Sequence, residues 1–169
     1  MKGQVEVLEA RHGAGRELDE EARRLFDRGA ESLQSEQYDD ALACLRRAHE
    51  MVPGHAQLRS MLGVAVACTE RDFEQARALC ESAAKQEFFN PDLYLNLSRV
   101  YLEFDRRSEA MRYLRRGQMI DPGHSRITEA LFELGRRRPA VIPFLPRRHP
   151  LNRALGSARN LVLNSLSSR

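Results

Sequence analysis

Small and large side chains recur along this chain in a pattern that repeats itself. Ala41, Ala76 and Ala110 are spaced 35 and 34 residues apart. Around each alanine fall the same neighbours: an aromatic three residues earlier in two copies (Tyr38, Phe73), a large side chain four later (Leu45, Cys80, Leu114) and a small one seven later (Ala48, Ala83, Gly117). A further small residue precedes each set, at Gly29, Gly63 and Ser98. Self-similarity at such a period marks stacked supersecondary units. Antiparallel helices approach closely only where side chains are small, so each copy reads as a helix pair crossing at its small residues, with larger residues filling the volume alongside.

The punctuation agrees. Val52-Pro53-Gly54-His55 and Asp121-Pro122-Gly123-His124 close one copy and open the next, since proline cannot continue a helix and glycine supplies a turn. Asn90-Pro91-Asp92 does the same between the second and third copies, with Pro91 near a helix N-terminus, where its missing N–H costs nothing. Helices are predicted near residues 18–35, 38–51, 55–69, 73–86, 91–104, 107–120 and 124–137. The last carries Ile127, Leu131 and Leu134 along one face and is expected to cover the open end of the third pair. The second copy is expected to hold one extra residue in the turn between its helices.

Together these residues resemble the tetratricopeptide repeat (TPR) family over roughly residues 22–124, with Arg107 standing where the third copy would usually carry an aromatic. The resemblance implies an all-α fold, a right-handed α-solenoid of three helix pairs plus a C-terminal capping helix, of the kind seen in small bacterial TPR proteins. It also implies a concave groove lined by the first helix of each pair. In the family's register the groove residues are Arg23, Phe26, Asp27, Ala30 and Leu33 from the first pair. The second supplies Gln57, Ser60, Met61, Val64 and Ala67, and the third Asp92, Leu95, Asn96, Arg99 and Leu102. Such a groove is apolar at its centre with charged groups at its ends. It suits a hydrophobic peptide or helix, because apolar burial supplies affinity while a few polar groups set the register. Family members that clamp a chaperone's terminal carboxylate use Lys, Arg and Asn from successive first helices. Here Asn96 and Arg99 alone match, and Phe26 and Ala30 stand where Lys and Asn would be needed, so a carboxylate clamp is disfavoured. The alternative reading of Phe26, Met61 and Leu95 is as core residues of a shallower groove.

Charge divides the chain. Residues 1–134 hold 19 Lys/Arg against 24 Asp/Glu, a net of −5, whereas residues 135–169 hold eight Arg and no acid, a net of +8. Residues 139–150, PAVIPFLPRRHP, are too rich in proline for a helix, and LNRALGSARNLVLNSL after them reads as a short basic amphipathic helix. Phe144, Leu145, Arg147, Arg148, Arg153 and Arg159 are the candidate tail contacts. The tail either folds back on the acidic body, or meets an anionic membrane surface or a partner protein, or binds nucleic acid. The last is the weaker reading, since Phe144 is its sole aromatic and single strands need a stacking platform. The expected organisation is therefore an N-terminal segment over 1–15, helical or disordered, a repeat domain over 16–138, and a linker with a basic tail over 139–169.

Candidate chemistry adds little. Cys44, Cys68 and Cys80 share no CxxC spacing and lie in apolar helical patterns, so they read as buried reduced thiols. His12, His49, His55, His124 and His149 are scattered without ligand spacing, and the two Pro-Gly-His strings read as turn chemistry. No phosphate loop or nucleophile elbow is present, so neither catalysis nor a metal or other cofactor is expected. Residues 1–15 carry Glu6, Glu9, Arg11 and His12 without an apolar run, and the chain is expected in the cytoplasm, either free or peripheral to a membrane or larger assembly. The preferred expectation is an adaptor or assembly factor that holds a partner segment in the groove. The alternative is a chaperone for a secreted translocator, as in type III secretion.

Overall fold

The structure, a computed structural model, describes residues 18–135 and residue 155. The expectations for residues 1–15 and for the tail, its six candidate contacts included, lie outside the described residues. Seven helices occupy the described body, without a strand among them: α1 Glu20–Gln34, α2 Tyr38–Met51, α3 Ala56–Thr69, α4 Phe73–Gln86, α5 Pro91–Glu103, α6 Arg107–Ile120 and α7 Ser125–Gly135. Each of α1 to α6 packs on its sequence neighbour, and α3 also packs along α5.

Local chemistry starts these helices. Asp19, Asp72 and Asn90 turn their side chains onto the amides of Ala22, Gln75 and Asp92, satisfying donors that no preceding turn can reach. His55 and His124 do the same for α3 and α7, their Nδ1 atoms accepting from Leu58 N at 3.1 Å and Ile127 N at 3.3 Å. The Pro-Gly-His strings are thus turn plus cap.

The small residues lie at the crossings. A β-carbon at Gly29 would stand 2.6 Å from Leu45 Cγ, so the Leu45 side chain of α2 packs directly on the α1 backbone there. Around these crossings runs one core that includes Leu33, Leu45, Leu62, Val66, Leu97 and Val100, and it is continued toward the end of the body by Leu95, Leu114 and Ile127. Ile127 is fully buried, and Leu131 and Leu134 pack beside it, so α7 closes the third pair.

Two expectations change. The extra residue of the second copy is not in its turn, because each turn within a pair has three residues. Instead α3 runs one residue further past Gly63 than α1 runs past Gly29 or α5 past Ser98. The added residue keeps the ladder bonded and costs no new loop. Arg107, in place of the usual aromatic, has a positional reason. Phe73 packs edge-on to Tyr101 and Phe104 of the next pair, at centroid distances of 5.5 and 5.1 Å. After α6 only α7 follows, and Arg107 donates to the carbonyl of Leu134 at 2.9 Å, placing a cation at that helix's C-terminal end.

Candidate partner-binding groove

A concave cavity of about 540 Å³ runs across α1, α3, α5 and α7. Its first wall is Phe26, Ala30 and Leu33 of α1, spaced three to four residues apart and so stacked on one helix face. Next come Gln57 and Met61 from α3, then Asp92, Leu95, Asn96 and Arg99 from α5. All of these carry over from the sequence register.

Others of that set stand elsewhere. Arg23 and Asp27 are exposed on α1 but do not line the cavity. Ser60, Val64 and Ala67 are buried in the body, and Leu102 packs half-buried on the core. The reason is the central position of α3. Hemmed by α2, α4 and α5, it buries most of its circumference, and Ser60 faces α4, where its carbonyl accepts the Cys80 thiol at 3.2 Å. Gln34, Arg126 and Ala130 line the cavity without having been singled out. For Arg126 and Ala130 a signal existed, since the groove register continued into α7 lands on them.

The cavity is apolar toward α1 and polar toward α7. At the polar end Asp92 Oδ1 lies 3.3 Å from His124 Nε2 and 3.4 Å from Arg126 Nη2. Because His124 Nδ1 accepts the capping bond, a neutral ring keeps its proton on Nε2, facing Asp92. At the apolar end the rings of Phe26 and His55 sit 5.8 Å apart, which ties the groove wall to the cap of α3. Burial holds His55 below the usual imidazole range, with Glu87 acting in the opposite direction.

Cys44 and Cys80 are buried, but Cys68, expected to be so, is only half-buried near the end of α3. Burial pushes the Cys80 thiol up to about 12, and burial followed by Glu103 pushes Cys68 up to about 11, so both stay protonated at neutral pH. Among the described residues no cluster of three His, Cys, Asp or Glu side chains could hold a metal ion, and no helix is long and apolar enough to cross a membrane.

Comparison with known proteins identifies the fold. Residues 67–134 match the tetratricopeptide repeat model. No curated protein matches the sequence. Among solved structures the chain is similar to the TPR domain of Arabidopsis OM64, with 19% identity over 67% of this chain and 93% of that one and a TM-score of 0.54. It is similar to the second TPR domain of human RPAP3, solved with an HSP70 peptide, at 17% identity, 69% and 97% coverage and a TM-score of 0.54. The TPR2B domain of yeast Sti1, solved as a complex with pHsp70, matches at 17% identity, 71% and 100% coverage and a TM-score of 0.57. The described helices thus take the fold of tetratricopeptide repeat domains, and residues 67–134 match that family's model.

Proposed function

We propose that this protein is an adaptor or assembly factor that holds a segment of another protein in the cavity across α1, α3, α5 and α7. The observation that carries the reading is the make-up of that cavity. Phe26 and Met61 present half-buried apolar surface from two helices beside the buried side chains of Leu33 and Leu95, while Gln57, Arg99 and Arg126 supply convergent polar groups around the buried Asn96. An extended or helical segment with two or three apolar anchors would bury them there and set its register on the amides and guanidiniums. The neighbour solved with an HSP70 peptide supports a peptide ligand. The occupant we favour is apolar in its middle rather than a free terminal carboxylate, because Phe26 and Ala30 form the α1 wall. The basic tail, with eight Arg and no acid over residues 135–169, makes a second contact in this reading.

Met61 is half-buried, lines the cavity and packs on the core beside it, so Met61→Glu places a charge in the apolar stretch. Affinity purification of the full chain, read by mass spectrometry, should recover a partner that Met61→Glu loses and the exposed-surface control Arg23→Glu retains. Circular dichroism would show that both variants fold. A partner recovered equally with folded Met61→Glu ends the groove reading. Deleting residues 139–169 should weaken that complex without removing it, and an unchanged complex ends the role of the tail.

A further inference from the structure

The arginines of the three second helices are treated differently. On α2, Arg46 and Arg47 pair with Glu70 and Glu21 at 2.8 and 2.7 Å. On α4, Arg77 is held between Glu74 and Glu81 at 2.7 and 3.1 Å. The ion pairs of the described residues engage none of the arginines of α6. That helix carries Arg107, Arg112, Arg115 and Arg116 against Glu109 alone, on a body whose net charge is otherwise negative.

Two of these guanidiniums are parked on aromatic rings. Arg112 lies 5.3 Å from the Tyr113 centroid and Arg116 lies 5.2 Å from that of Tyr94. Stacking of this kind restrains a planar guanidinium while leaving its N–H groups free for a carboxylate, so less entropy is lost when one binds. Between them Met111, Arg115 and Met119 complete a shallow concave surface of about 680 Å³. Met119 is 83% exposed, far more than a thioether needs to be on a surface with no partner.

We propose that the outer face of α6 is a second docking surface, separate from the groove, for an acidic helical segment of a partner protein that carries an apolar residue among its carboxylates. Charge complementarity selects the sign of the partner, and the unpaired guanidiniums form charge-assisted bonds with it. The methionines adapt to an apolar side chain set between those carboxylates. The concavity favours a rod-like segment over a membrane, since a bilayer needs apolar side chains that project beyond the cations. At 14 residues α6 is about 21 Å long, the span of roughly four turns of a facing helix.

The test uses the full chain and fluorescence anisotropy with a labelled synthetic helix of roughly four turns, bearing glutamates at i, i+4 spacing with leucines beside them. Arg115 has no ring contact, so Arg115→Glu should leave folding intact and weaken binding by about tenfold, and Arg112→Gln with Arg116→Gln should weaken it further. Affinity should fall with salt, and the same peptide with Gln for Glu should not bind. Met61→Glu should bind as wild type, which keeps this surface distinct from the groove. Equal binding by wild type and Arg115→Glu, or by the Glu and Gln peptides, overturns the proposal. So does loss of binding in Met61→Glu. Arg115-dependent binding to phosphatidylserine vesicles, with the peptide ignored, also overturns it and assigns the face to membranes.

Discussion

A β-carbon placed on Gly63 would fall 2.8 Å from the carbonyl oxygen of Ala76, across the crossing of α3 and α4. The same atom would stand 2.6 Å from Cys80 Sγ, a sulfur that is itself fully buried. A flexible side-chain tip could yield, but a helical backbone carbonyl cannot move without shifting its helix. Gly63 therefore sets how closely the central pair approaches, and with it the position of the Met61 wall two residues away.

Gly63→Ala should destabilise the protein by about 2 kcal/mol, even though alanine gains about 1 kcal/mol over glycine in helix propensity, because overpacking at a rigid contact outweighs that gain. Gly54→Ala, with nothing within 4 Å of the added carbon, should be close to neutral. Urea denaturation of the two variants gives the comparison directly. A neutral Gly63→Ala would mean that the pair can open at its crossing without loss.

Stability should fall as pH drops through the ordinary imidazole range near 6.5. Burial lowers the folded pKa of His55, and burial followed by the Arg59 guanidinium lowers that of His49, so the unfolded chain takes up protons first and is favoured at low pH. Protonation of His55 would also remove the lone pair that caps Leu58 N. His55→Asn, which keeps a capping acceptor without titrating, should flatten part of the dependence, leaving the share of His49. Thermal melts at pH 5, 6 and 7.5 would test this, and identical slopes for both proteins would exclude His55 as a contributor.

Each turn within a pair holds one left-handed residue that is not glycine: Glu36 at φ 59°, Arg71 at φ 57° and Asp105 at φ 58°. After two of them the next amide reaches back five residues, Gln37 N to Ser32 O at 2.8 Å and Arg106 N to Tyr101 O at 2.9 Å, the closure of a Schellman motif. Glu36 is exposed, so Glu36→Gly should stabilise the protein by about 0.5–1 kcal/mol, relief of the β-carbon strain exceeding the entropy that glycine adds to the unfolded chain. A rise in melting temperature is expected, and a fall would show that Glu36 holds an interaction worth more than the strain.

Much of this architecture can be read from residue order. Helix positions follow from Pro, Gly and the caps, and the starts predicted at 38, 73, 91 and 107 coincide with those of α2, α4, α5 and α6. Those signals are local and act within a turn of the chain. The capping role of α7 was legible too, since Ile127, Leu131 and Leu134 share one face at helical spacing and that face is the one buried. The left-handed turns were not legible, because Glu36 and Arg71 have no intrinsic preference for that backbone and the bonds that close such a turn, Gln37 N to Ser32 O among them, join main-chain groups that every residue carries.

The groove divides along the same line. Position within the repeat placed Phe26, Met61 and Leu95 on the face that lines the cavity, since the period alone decides which side of a helix a residue occupies. It did not separate Met61, on the cavity wall, from Ser60, Val64 and Ala67, which the neighbours of α3 cover. Burial depends on what packs beside a helix, and a single helix's pattern carries no record of that. The arginines of α6 show the same limit. Their number is plain in the sequence, but only the positions of Tyr94, Tyr113 and the surrounding carboxylates decided that, among the described residues, they form no ion pair while Arg46, Arg47 and Arg77 of α2 and α4 do.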